Sequence, residues 1–158
     1  MKRYEIIGTT ADAGVIAYGE RLESLFENAA RGMFALIFSA EPRSLMADTA
    51  DTFTLSALDL EALLVNFLSE LLWRFDTHLL VPTSYRLEIG GANNAPIPSK
   101  PPTGCQGAAQ ATLKAKIGFL ALSGTGPSPV TDLKAITMHN LAIKSGKDGL
   151  SARIIFDV

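Results

Sequence analysis

Two stretches of the chain carry apolar residues at three- and four-residue steps. From about Arg21 to Phe38 the series is Leu22, Leu25, Phe26, Ala29, Ala30, Met33, Phe34 and Ile37, with Glu23, Glu27, Asn28 and Arg31 opposite. From about Leu58 to Thr77 it is Leu60, Leu63, Leu64, Phe67, Leu68, Leu71, Leu72 and Phe75, with Asp59 placed to cap the start. This spacing predicts two amphipathic helices, each with one stripe to bury. Leu25, Phe26, Phe34, Leu64, Phe67, Leu68 and Leu71 are the expected heart of the core.

The remaining apolar residues sit in shorter, β-rich runs. Tyr4 to Ile7, Val15 to Tyr18, Thr52 to Leu55, Leu79 to Ile89, Thr112 to Leu122, Asp132 to Ile143 and Leu150 to Val158 read as strands. Thr52 to Leu55 alternates threonine with apolar residues, as an exposed edge does. Ser145-Gly146-Lys147-Asp148-Gly149 is a hairpin turn between the last two runs. Two helices cannot cover both faces of so many strands. The expected fold is therefore α+β: a mostly antiparallel sheet with both helices packed on one face.

One stretch breaks the pattern. Gly90 to Gln110 is rich in Gly, Pro, Ala and Asn and has no period, which predicts a long mobile loop at about residues 91–109 inside a single domain spanning 1–158. Composition then narrows the class of protein. A chain of 158 residues with 47% hydrophobic and 19% charged residues suits one folded domain. The net charge is -2 and no Lys/Arg cluster stands out along the sequence, so direct nucleic-acid binding is not expected. The N-terminus lacks a signal-peptide pattern and no run approaches a membrane span, which makes the cytoplasm the expected location. The lone Cys105 excludes an internal disulfide and reads as an incidental loop thiol.

Candidate chemistry is sparse. His78 closes the second helix, where a histidine favours the negative end of the helix dipole. His139 lies in Met138-His139-Asn140, inside the expected strand and at its surface or edge. The Gly-Thr-Gly at residues 124–126 lacks the lysine and the following helix of a phosphate-binding loop. No nucleophile–base set can be assembled, so no catalytic residue and no enzymatic activity is expected. Asp12 sits in a turn just before a strand, a common place for aspartate. Asp157 closes an apolar strand one residue before the sequence stops, with the carboxylate of Val158 beside it. Brought together, such oxygens would suit a hard cation: Ca²⁺, Mg²⁺ or Mn²⁺. Spacing alone does not bring them together.

Taken in order, these pieces resemble the archease family. The resemblance runs through Tyr4-Glu5-Ile6-Ile7-Gly8-Thr9-Thr10-Ala11-Asp12-Ala13-Gly14-Val15, then Leu22-Glu23-Ser24-Leu25-Phe26-Glu27-Asn28-Ala29-Ala30. It continues in Asp59 to Leu72, in Leu133-Lys134-Ala135-Ile136-Thr137-Met138-His139 and in the closing Arg153-Ile154-Ile155-Phe156-Asp157-Val158. It covers nearly all the chain outside roughly residues 90–131. The resemblance implies an accessory protein that activates an RtcB-type RNA ligase in tRNA splicing and RNA repair, promoting its guanylylation and multiple turnover. It also implies an acidic tip that binds divalent metal, Ca²⁺ in particular, through Asp12, Asp157 and Val158. An alternative that it carries is a chaperone-like or structural module, for example a modulator of a tRNA methyltransferase. The chain departs from the family at Thr9, where histidine is usual, at Asn66, where an acid is frequent, and before Leu133, where a Gly-Glu pair is absent. Each departure removes a group that could support the tip.

Overall fold

The computed structural model describes residues 2–8, 12–39, 46–91, 111–122 and 128–158. In chain order it contains β1 (Tyr4–Gly8), β2 (Ala13–Gly19), α1 (Leu22–Phe38), β3 (Thr49–Ala57), α2 (Leu60–His78), β4 (Leu80–Gly91), β5 (Ala111–Ala121), β6 (Ala135–Thr137), β7 (Ile143–Gly146) and β8 (Gly149–Asp157). The expected loop beyond Gly91 and Cys105 within it lie outside the described residues. Among the described residues, no helix is long and apolar enough to cross a membrane.

The helices form where the apolar stripes predict them. Asp59 caps α2 as expected, its carboxylate accepting from Ala62 N at 2.7 Å. At the other end Leu79 turns into the left-handed region (φ 55) and its N–H returns to the carbonyls of Arg74 and Phe75. His78 occupies the last turn.

The fold class is α+β with antiparallel pairing throughout the described ladders. The strands nevertheless divide into two sheets, where a single one was expected. One has the order β1-β2-β8-β6, with β7 also paired to β8, and the other has the order β3-β5-β4. The division has a local cause: β8 is used on both sides. It pairs along its length with β2 and, on its other edge, with β7 near its start and β6 near its end. The strands around α2 are left to close among themselves, with β3 at an edge as its threonines suggested.

Each sheet turns one face to the helices. On the larger sheet Val15, Ala17, Ala152, Ile154 and Phe156 are buried, and α1 packs on β1, β2 and β8. On the smaller sheet Leu113, Ala115, Ile117 and Phe119 are buried, and α2 packs on β3, β4 and β5. The helices meet through aromatic rings. Phe26 stacks near Phe67 at 6.0 Å between centroids, and Phe34 and Phe38 both set their rings edge-on to Phe75. The predicted core residues Leu25, Phe26, Leu64, Phe67, Leu68 and Leu71 are fully buried, and Phe34 nearly so.

One strand expectation fails. The segment 132–143 is not one strand but a three-residue β6, a turn and the start of β7. Asn140 takes a left-handed conformation (φ 54), and Leu141 N closes the turn onto Met138 O at 3.2 Å. An asparagine tolerates that conformation, whereas a β-branched residue would not. His139 is therefore an exposed turn residue and not part of a strand.

Candidate functional site

The outer face of the larger sheet, turned away from the helices, collects the residues of interest. Alternation along β8 points Ser151, Arg153, Ile155 and Asp157 outward, between the buried Ala152, Ile154 and Phe156. On β2 the same face carries Gly14, Ile16 and Tyr18. Pairing sorts these side chains into rows. Tyr18, Ser151 and Lys144 form one row, Glu5, Ile16 and Arg153 the next, and Ile7, Gly14, Ile155 and Thr137 the third.

The fourth row is the acidic tip. Ala13 is opposite Phe156, the last pair of this ladder, and Asp12 and Asp157 are the next residues along the two chains. Asp157 is flanked on its other edge by Ala135, and its carbonyl accepts from Lys134 N at 2.8 Å. Val158 follows, 44% exposed. Both aspartates are exposed as well. The antiparallel ladder thus pairs the residues next to two acids that are far apart in sequence, with Val158 following the second. Thr9 lies outside the described residues.

The donors at this tip fit a hard cation in kind, because carboxylate and backbone oxygens are the ligands that Ca²⁺, Mg²⁺ and Mn²⁺ prefer. They do not fill its shell. Among the described residues there is no group of three or more Asp, Glu, His or Cys side chains that could hold a metal ion. His139 and His78 add nothing there: the one sits in the β6–β7 turn, the other against the Trp73 ring at 5.6 Å.

Beside the tip is a small cavity of about 140 Å³, lined by Asp12, Ile7, Gly14, Ile16, Arg153 and Ile155. Glycine at position 14 keeps the strands close. A Cβ there would lie 2.9 Å from the Ile154 carbonyl oxygen and 2.9 Å from the Ile7 side chain. Arg153 was missed by the sequence reading. The signal for it was present, since a single cation in the apolar run Ala152-Arg153-Ile154 must point to the outer face. Farther along, Glu5 accepts from Lys2 and from the Tyr18 hydroxyl, the latter at 2.7 Å. The Lys2 contact, then the Tyr18 hydrogen bond, hold the Glu5 carboxyl below its ordinary value. The same hydrogen bond raises the Tyr18 phenol.

Residues 4–158 match the sequence profile of the archease protein family. The protein archease of Methanosarcina barkeri is 32% identical over 157 residues, covering 99% of this chain and 97% of its own. That of Thermococcus gammatolerans is 34% identical over 152 residues, covering 94% and 93%. The solution structure of Methanobacterium thermoautotrophicum protein 1598 superposes with a TM-score of 0.76 at 26% identity, over 100% of both chains.

Proposed function

The chain belongs to the archease family, and from that premise we propose that it is an accessory protein that activates an RtcB-type RNA ligase through the tip built by Asp12, Asp157 and Val158. The observation that supports this reading is the pairing of Ala13 with Phe156, the residues next to Asp12 and Asp157, at the end of an exposed sheet face. Two carboxylates brought close together repel, and a divalent cation between them removes the repulsion. Asp12 and Asp157 would hold the ion through carboxylate oxygens and Val158 through backbone oxygen. A calcium shell takes six to eight oxygens, so water or groups of a partner must complete it. A half-built shell suits a protein that shares its ion with the active site of a partner. A bound ion would supply positive charge where the ligase handles phosphate. The chain's own residues fix its position relative to the sheet.

On this reading the protein raises the number of turnovers of its partner and catalyses nothing alone. A ligation assay with the cognate RNA ligase, under conditions of excess RNA, tests it. Addition of the protein should convert a ligase that stalls after about one turnover into one that continues. A ligase that runs equally well with and without the protein would refute it.

A further inference from the structure

The outer face of the larger sheet changes sign along its length. From the acidic row at Asp12 to the row of Tyr18 is six residues of strand, roughly 20 Å at about 3.3 Å per residue. Lys144 stands in that last row and Arg153 in the row before it. Both are exposed, and neither forms an ion pair or side-chain hydrogen bond with the described residues. Lys144 is opposite Ser151, two residues from Arg153, so the cations are diagonal neighbours on adjacent strands. Diagonal neighbours lie about 7–8 Å apart, within reach of one bridging anion for side chains of this length. Arg3 extends the same end, its carbonyl accepting from Tyr18 N at 2.9 Å.

A cavity of about 610 Å³ opens between these cations, lined also by Ile16, Ser151 and Asn140. Its volume falls within the range of small-ligand sites, roughly 300–1,000 Å³. A second, of about 230 Å³, continues past Tyr18 to Lys147 in the β7–β8 turn. Of the nearby acids, Asp12 shares the smaller cavity beside the tip with Arg153 but does not line this one. Glu5 is occupied by Lys2 and Tyr18, and Asp148 sits in the turn beside Lys147. Two cations that share a cavity with a hydroxyl and an amide match a phosphate group, and Ile16 and the neighbouring Tyr18 add the apolar surface on which a base can rest.

We propose that this end of the face binds the phosphate groups of nucleotides, with Arg153 and Lys144 as the anion-holding pair. The sequence did not suggest it, because the two cations are nine residues apart and only the β7–β8 hairpin puts them together. The inference needs neither the acidic tip nor a ligase, so it and the proposed function fail separately.

Fluorescence anisotropy of a labelled single-stranded oligouridylate, titrated with the whole protein across a range of salt, tests it, with GTP and inorganic phosphate as competitors. Binding at low salt is expected. Arg153→Gln and Lys144→Gln should each weaken it several-fold and lower the slope of log K against log salt by about 0.7, the share of one phosphate contact on a single strand. Lys114→Gln, the same charge change on the smaller sheet, should leave it unaltered. Displacement of the RNA by GTP identifies a free nucleotide as the source of the phosphate, and resistance to GTP identifies a strand. Failure of the wild type to bind either probe would overturn the proposal, as would an equal effect of Lys114→Gln. Loss of affinity for the ligase in the Arg153 and Lys144 variants, with RNA binding unchanged, would assign the face to a protein and also overturn it.

Discussion

Arg74 carries several interactions at one point. Its guanidinium bonds Glu70 at 3.0 Å and Asp51 on β3, and lies over the Phe53 ring at 4.7 Å. It thereby ties α2 to the edge strand of the smaller sheet. Arginine suits the position because one planar group can serve two carboxylates and an aromatic face. The Arg74 hydrogen bond holds the Asp51 carboxyl below its ordinary value. A depressed carboxyl contributes stability above its unfolded pKa, and that contribution is lost as pH falls through the folded value. Asp51→Asn should therefore destabilise the protein at neutral pH, with the difference from wild type shrinking below the ordinary aspartate pKa of about 3.9. Urea unfolding at a series of pH values reads this directly. An unchanging difference would mean that packing and not charge is lost.

At the scale of elements, the helices were the most legible part of the sequence. Their stripes are long and their period is unambiguous, and the Asp59 cap was readable from one residue. Asp59 is itself buried and serves the Ala62 N–H, so Asp59→Ala should cost about 0.5–2 kcal/mol, measured as a shift in the denaturant midpoint. The strands were found, but their partners were not. Local sequence sets which residues alternate, whereas pairing depends on contacts between distant segments. Hence β8 was recognised as the closing strand, while its double use between β2 and the β6–β7 edge became visible only in the fold. The same limit explains His139. Alternation around it resembles a strand, and the turn is set by the left-handed Asn140, a conformation that leaves little trace in composition. The acidic tip was half legible. Asp12 and Asp157 could be named as candidates, but only the ladder pairs the residues beside them. Arg153 and Lys144 were not legible as a pair for the same reason.

At the scale of the whole molecule, the two sheets and two helices enclose one continuous core, and the candidate site residues lie on the side that the core does not need. Leu68 stands at the centre of that core with no exposed surface. Leu68→Ala should cost roughly 2–5 kcal/mol. Calorimetry or chemical denaturation checks it, and a cost below 1 kcal/mol would mean that the core repacks more freely than its aromatic contacts suggest. The outer face, by contrast, is free to evolve for binding, because its exposed side chains contribute little to burial. Substitutions at Asp12 and Asp157 should accordingly separate function from folding, and surface changes of this kind usually shift stability by about 0.5 kcal/mol or less. The most direct test of the account is multiple-turnover RNA ligation by the cognate ligase with the Asp12→Asn and Asp157→Asn variants, each compared with wild type alongside its thermal midpoint. Both variants should lose most of the stimulation while melting close to the wild type. An Asp12→Asn variant that stimulates the ligase as well as the wild type would contradict it.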